Sequence, residues 1–247
     1  MKKYIEKEIP EGKKLNWDLI RSIPIYENNE PLVPLNLYPE RILCHPEYFI
    51  QQIANAMPVL YAREGLYKKL IEASKNLPKG FKFVVYDAYR PVEVQKSLFD
   101  SYKNKLAKQN PTMNEDQLIA LTLNFVSLPS EDPKKPSAHS TGGSIDLTIV
   151  DDEGKLLDMG SYFDDMGDIV ITTYFEEKLK KGEKLGEKEL KIIENRRLLY
   201  NIMIEQGFTN FVNEWWHYDY GNQLWAYNGN HPNAIYTMTK PFFFWKE

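Results

Sequence analysis

Ser137-Ala-His-Ser-Thr-Gly-Gly-Ser-Ile-Asp-Leu-Thr-Ile-Val150 is the stretch on which the fold turns. From Ser144 onward its residues alternate. Ile145, Leu147 and Ile149 fall on one side of an extended chain, and Asp146 and Thr148 on the other. This is a strand with one apolar face. Its polar face carries a carboxylate that looks toward solvent or a metal, because an unpaired carboxylate in a core is strongly unfavourable. Just before the strand, Gly142 and Gly143 supply the backbone freedom for a tight turn, so that His139 and Asp146 can face one point.

Upstream, Phe81-Lys-Phe-Val-Val-Tyr86 is rich in β-formers and reads as a second strand. It runs into Asp87-Ala-Tyr-Arg-Pro91, where Pro91 suits the first turn of a helix extending to about Lys105. Asn114 caps a further helix through about Asn124. Residues 47–78 read as helical in two pieces broken near Pro58, the second from Glu64 to Asn76 with Leu66, Leu70 and Ile71 on one face. Leu32, Val33 and Leu35 read as a short strand. Downstream, Lys188 to Gln206 is a long amphipathic helix ended by Gly207, and Phe208 to Tyr220 returns as a strand. Three prolines fix a loop between Leu128 and Pro136, residues 157–168 form a second loop, and Asp151-Asp-Glu-Gly154 is a solvated turn. The tail, with Pro232, Pro241 and three consecutive Phe, is irregular or edge-like. Strands and helices are segregated and do not strictly alternate. The expectation is an α+β fold, a central antiparallel sheet flanked by helices, in one domain over residues 1–247.

The composition fits a soluble globular chain, with 43% hydrophobic and 27% charged residues among 247 and a net charge of −4. No basic stretch is interleaved with aromatics, which argues against a nucleic-acid partner. No run approaches ~18 apolar residues, so no transmembrane helix and no membrane partner are expected. The N-terminus has basic residues without an apolar run behind them, and the expected location is cytoplasmic. The single cysteine, Cys44, excludes an intramolecular disulfide and fits a reducing compartment.

Chemistry concentrates in three segments. There are four histidines. His139 lies in the Ser/Gly-rich turn and His217 in Glu214-Trp-Trp-His217; either alone is more often structural than a ligand. With Asp146 they form a set of two imidazoles and one carboxylate, which leaves one position of a tetrahedral zinc open. Glu214, three residues before His217, is a candidate base. On a helix the two would share a face; on a flat strand they would point apart, so a twist, bulge or turn has to bring them together. Trp215 and Trp216 read as core or pocket wall. Arg90 sits where a cation opposes the helix dipole, which points to another use, such as neutralising an oxyanion. Asp87 either holds Arg90 or a ligand imidazole, or caps the helix. His45 and His231 each precede a proline outside these motifs and are read as bystanders.

Tyr86-Asp-Ala-Tyr-Arg-Pro91, Ser137 to Thr148, Met159-Gly-Ser-Tyr-Phe-Asp164, Asn195-Arg-Arg-Leu-Leu199 and Glu214-Trp-Trp-His-Tyr218 together resemble the D-alanyl-D-alanine dipeptidases of the zinc-dependent M15 peptidases. The pattern around His139 and Asp146 is shared more widely, with hedgehog-type domains included; the Glu-Trp-Trp-His and Met-Gly-Ser pieces are narrower. The resemblance implies one zinc per chain, held by His139, Asp146 and His217. It implies Glu214 as base, Arg90 as the transition-state clamp, and Ser137 and Asp164 as lining for the pocket of a small dipeptide. The implied reaction is hydrolysis of D-Ala-D-Ala to free D-alanine, with Asp164 pairing with the substrate ammonium. The stretch from Asn104 to Pro136 is longer than the family pattern, and the first ~20 residues match no part of it. Rival readings are a D,D-carboxypeptidase or endopeptidase of the same family, and a hedgehog-type zinc module without turnover. Glu214 speaks against the module, since a structural site needs no base. Asp164 and the lack of an export signal speak against a wall-trimming enzyme.

Overall fold

The computed structural model describes residues 1–123 and 126–241. Its strands are β1 (Leu32–Pro34), β2 (Ile42–Cys44), β3 (Tyr61–Arg63), β4 (Lys82–Asp87), β5 (Ser144–Val150), β6 (Thr209–Asn210) and β7 (His217–Asp219). Its α-helices are α1 (Lys2–Ile5), α2 (Trp17–Ser22), α3 (Glu47–Ile50), α4 (Glu64–Lys75), α5 (Val92–Gln109), α6 (Glu115–Thr122), α7 (Tyr174–Lys180), α8 (Glu187–Glu205) and α9 (Gln223–Gly229). The main sheet runs β2-β4-β5-β7-β6, and β1 pairs with β3 separately. Strands β4, β5, β7 and β6 are antiparallel, as expected. Strand β2 lies parallel to β4, the chain crossing from one to the other through α4, as parallel pairing requires. The α+β architecture expected from the sequence is present.

Alternation in β5 builds the core. Ile145, Leu147 and Ile149 are fully buried and pack with Phe83 and Val85 of β4 and with Leu66, Leu70, Leu199, Ile202 and Met203 of α4 and α8. Each such side chain contributes roughly 1.5–3 kcal/mol when taken out of water. Asp146 and Thr148 on the opposite face are also buried, so β5 is covered on both sides.

The region 47–78 departs from its reading. Its first piece is helical only over α3, and β3 precedes α4; Tyr61 to Arg63 pair with the expected strand β1. Strand β4 extends one residue past the expected end at Tyr86, and α5 four residues past Lys105. Asn114 does cap α6, in a reciprocal arrangement with Gln117 at 3.0 Å each way; the expected end at Asn124 lies outside the described residues, as do the three Phe of the tail. Gly207, at φ +84°, follows α8 as read. The largest departure is the expected strand Phe208–Tyr220, which is two short strands joined by a turn.

Two tertiary connections were not foreseen. Helix α1 docks on α8, where Asn201 Nδ2 donates to Tyr4 O and Lys7 O at 2.9 and 2.7 Å, and Tyr4 and Ile9 are buried. The buried Arg196 of α8 donates to Met159 O, Ile171 O and Ile169 O at 2.8, 2.7 and 2.6 Å, pinning both ends of the loop that carries Asp164. Among the described residues, no helix is long and apolar enough to cross a membrane.

Candidate active site

Three strands bring the site together. In the register of the sheet Asp87 is opposite Asp146, and Asp146 is opposite His217. A bulge makes the first pairing possible. Val85 pairs with Leu147, yet Asp87 pairs with Asp146, so two steps on β4 match one on β5. Without that extra residue Asp87 would follow Val85 onto the apolar face; with it, Asp87 joins the polar face. His139 arrives from a one-turn 3-10 helix, His139–Thr141, closed by Gly142 at φ +70°. A Cβ on Gly142 would lie 2.5 Å from Leu32 Cδ2, so position 142 excludes other residues on two counts.

The turn between β6 and β7 resolves the geometry of Glu214 and His217. Glu214 N donates to Phe211 O at 2.9 Å and His217 N to Glu214 O at 3.3 Å. Of the twist, bulge or turn that the sequence required, the structure has the turn: the chain reverses in a helix-like turn, and residues three apart share a side. Glu214 Oε2 lies 3.8 Å from His217 Nδ1, and its side chain is 36% open, enough for water to reach it. Trp215 and Trp216 are buried in the main hydrophobic core, and Phe163 of the Asp164 loop meets Trp216 edge to face.

The protonation pattern tests whether the site suits a cation. His139 Nδ1 lies 2.7 Å from Ala88 O. A carbonyl can only accept, so the neutral ring keeps its lone pair on Nε2. His217 Nε2 lies 3.0 Å from Asp219 Oδ1, which leaves the lone pair of its neutral ring on Nδ1. Those two atoms face each other at 3.2 Å. Asp146 places one oxygen 3.4 Å from His139 Nε2 and the other 3.0 Å from His217 Nδ1. With the His217 ring neutral, the buried Oδ1 of Asp146 has no hydrogen-bond partner among the described residues. Metal bonds of about 2.0–2.1 Å at tetrahedral angles separate ligand atoms by about 3.3 Å. The donor set and its spacing thus fit a zinc ion. His217 shows the same demand for positive charge: burial opposes its protonation, but Asp219 and Asp146 outweigh burial and push its pKa well above the ordinary value. For Asp146, burial acts upward, and His139, His217 and Arg90 overcome it to hold the carboxyl below its usual range.

Arg90 is held from several sides. Its Nε and Nη2 reach Asp87 Oδ2 at 2.8 and 2.7 Å, Nη1 donates to Gln95 Oε1 at 2.7 Å, and Nη2 meets the Tyr48 hydroxyl at 3.3 Å. Burial opposes its charge, and the neighbouring Asp87, Tyr48, Asp146 and Asp164 more than restore it. Asp87 holds the guanidinium and lies 3.3 Å from His139 Nδ1, whose proton goes to Ala88 O; the helix cap falls to Pro91. Asp164, with φ +64°, accepts from the buried Tyr48 hydroxyl at 3.2 Å. Although the residue is exposed, desolvation of its carboxyl pushes the pKa up to about 6; Arg90 opposes the rise and Asp146 adds to it. Desolvation likewise pushes Glu214 up to about 7, with His217 opposing and Asp146 and Asp164 adding.

Ser137 takes part through its carbonyl, which accepts from Ser140 N and Ser140 Oγ; its hydroxyl makes no hydrogen bond to protein among the described residues. His45 pairs with Glu47 and His231 stacks on Trp225, and neither belongs to the His139, Asp146 and His217 group. Asp151 accepts from Glu153 N and Lys155 N, which makes its segment the expected turn. Sequence reasoning missed Asp219, Tyr48 and Gln95. Asp219 was findable, because two residues beyond His217 on a strand is the same face. Nothing local marks the other two.

A His-Asp-His triad spaced for a metal ion, with an adjacent carboxylate and a clamped guanidinium, fits the site of a metal-dependent hydrolase. The profile of the peptidase M15 family, described as D-ala-D-ala dipeptidase, matches residues 58–237, and the chain belongs to that family. The D-alanyl-D-alanine dipeptidase of Synechocystis sp. is 30% identical over 226 residues, covering 86% of this chain and 91% of that protein. Its namesake from Enterococcus faecalis is 31% identical over 147 residues, covering 56% and 62%. Among solved structures, the vancomycin resistance D,D-dipeptidase VanXYg in complex with a D-Ala-D-Ala phosphinate analog covers 89% of this chain and 72% of its own, at 18% identity and a TM-score of 0.39.

Proposed function

We propose that this protein hydrolyses the dipeptide D-Ala-D-Ala to two molecules of D-alanine, using one zinc ion held by His139 Nε2, Asp146 and His217 Nδ1. The observation that carries the reading is the convergence of these three donors beside Glu214 and Arg90, in a chain whose relatives are D-alanyl-D-alanine dipeptidases. A zinc there would supply Lewis acidity and lower the pKa of a nearby water toward neutrality.

The side chains divide the remaining work. Glu214, with its pKa pushed up to about 7, takes the proton of the attacking water and returns it to the leaving amine. The water oxygen bonds to the carbonyl carbon and the C–N bond breaks. Arg90, its orientation set by Asp87 and Gln95, places fixed positive charge where the carbonyl oxygen becomes an oxyanion. Asp164 pairs with the free ammonium of the dipeptide, and Ser137 belongs to the pocket lining in this reading. A cytoplasmic site of action is part of the same proposal, supported by the single free cysteine.

The test is release of free D-alanine from D-Ala-D-Ala by the purified protein, with and without a chelator, followed by Glu214→Gln. Turnover should stop with the chelator and return with zinc. Glu214→Gln should lower kcat at least ~100-fold while zinc stays bound, because a base is lost and no ligand is. Near-normal turnover of that variant removes Glu214 from the mechanism, and loss of zinc makes it a ligand.

A further inference from the structure

The turn that brings Glu214 and His217 together is cross-braced by one side chain. Asn210, at the end of β6, donates from Nδ2 to Glu214 O at 3.1 Å and to His217 O at 2.9 Å. Its Oδ1 accepts from Thr172 Oγ1 at 2.8 Å. The orientation of the amide is not ambiguous. Two carbonyls on one side can only accept, so they require the NH2 group, and the hydroxyl on the other side is left to donate. Thr172 is itself buried and tied to the same loop, its N donating to Val212 O at 2.9 Å.

We infer that Asn210 is a positioning residue for the catalytic centre, acting through the backbone of Glu214 and His217. The inference rests on the roles proposed above for those two residues. Backbone bonds also hold this turn, Phe211 N donating to His217 O at 3.1 Å and Trp215 N to Val170 O at 3.0 Å, but of the backbone bonds among the described residues only that from His217 N to Glu214 O joins the two residues directly. A segment of this composition reads as a strand, which would send the two side chains to opposite faces, and the bond from His217 N to Glu214 O is long at 3.3 Å. The Asn210 amide grips both carbonyls at once and fixes the separation of the residues that carry them. Thr172 orients the amide. Loosening this brace moves the base and one ligand relative to each other, and displacements near 1 Å at a reacting centre cost about 100-fold in rate.

The experiment uses Asn210→Ala, Asn210→Asp, Thr172→Val and Thr172→Ser in the full chain. The readouts are kcat and KM on D-Ala-D-Ala at full zinc loading, the zinc dissociation constant from competition with a chromophoric chelator, and Tm. Asn210→Asp keeps the shape and loses both donors, so it separates bracing from filling of space. Asn210→Ala and Asn210→Asp should lower kcat by roughly 10- to 100-fold with KM within about threefold, and weaken zinc binding about tenfold. Thr172→Val should show a smaller loss in the same direction, and Thr172→Ser should restore it. If Asn210→Asp matches wild type in kcat and zinc affinity, or if the Asn210 variants lose only Tm, the inference is overturned. Should Asn210→Ala fail to fold, Asn210→Asp and Thr172→Val carry the same test. Zinc affinity needs no turnover, so a failure of Glu214→Gln to stop catalysis would sink the proposed role of Glu214 and leave the effect on His217 still measurable.

Discussion

At the scale of single residues, the site is defined by which protons are already committed. His139 spends its Nδ1 proton on Ala88 O and His217 its Nε2 proton on Asp219, so both present lone pairs to the same point as Asp146. Asp164 offers a test in pH. Its pKa is pushed up to about 6, and only the ionised form can pair with an ammonium group. The kcat/KM for D-Ala-D-Ala should therefore fall first as Glu214 protonates near pH 7 and more steeply below about 6, where Asp164 protonates too; Asp164→Asn should abolish the second step and keep the first. Stability should move the other way. Unfolded, the group titrates near 3.9; folded, it titrates higher. Its contribution to stability is present below the unfolded value and is lost as pH rises through the folded one. Asp164→Asn should accordingly raise Tm at pH 8 and change it little at pH 4. Equal melting temperatures for both proteins at pH 8 would show that the carboxyl is not raised.

At the scale of elements, two of the family-like segments are one mechanical unit. Asn195 and Arg196 of α8 reach across to the carbonyls of the loop from Asp158 to Ile171, at whose middle Asp164 sits. Those carbonyls are otherwise left in a poorly solvated place, and each unsatisfied buried group costs about 1–3 kcal/mol. Arg196→Met should destabilise the protein by about 3 kcal/mol or more in urea unfolding. It should also raise KM more than it lowers kcat, because the loop that carries Asp164 loosens while Asp146 on β5 and His217 on β7 stay in place. A variant with wild-type KM would detach this helix from substrate binding and leave it a purely structural brace.

At the scale of the whole molecule, the proposed preference for a dipeptide meets its test in substrate length, and the segment from Asn104 to Pro136 is the part of the chain to weigh against it. It does not stand free of the site. Gln95 Nε2 donates to Ser127 O at 2.8 Å while Gln95 Oε1 accepts from Arg90, so the segment is tied to the residue that steadies the guanidinium. A stem pentapeptide ending in D-Ala-D-Ala has no ammonium to offer Asp164, and an unpaired, partly buried charge commonly costs ~3 kcal/mol, roughly a hundredfold in kcat/KM. The dipeptide should be preferred by at least that factor. Equal hydrolysis of both substrates would replace the dipeptidase reading with the carboxypeptidase one.

The kinds of group at the site and the elements that carry them were legible in the sequence, because the rules that mark them are local. Alternation in Ser144–Val150 assigned Ile145 and Leu147 to the core, Gly207 and Asn114 marked helix limits, and two imidazoles with a carboxylate announced a metal. The family was legible too, through spacing within short motifs. Relations between strands were not. Whether Asp146 met solvent depended on what covered the other face of β5, and Asp87 changed faces through a bulge visible only against its partner strand. That Glu214 and His217 needed a twist, bulge or turn to meet was legible, but which of the three was not; a turn held by Asn210 and by the backbone brings them side by side. A strand's own period says which residues alternate. Which of them meet is set by register and turn, and those are settled by chain segments far away in sequence.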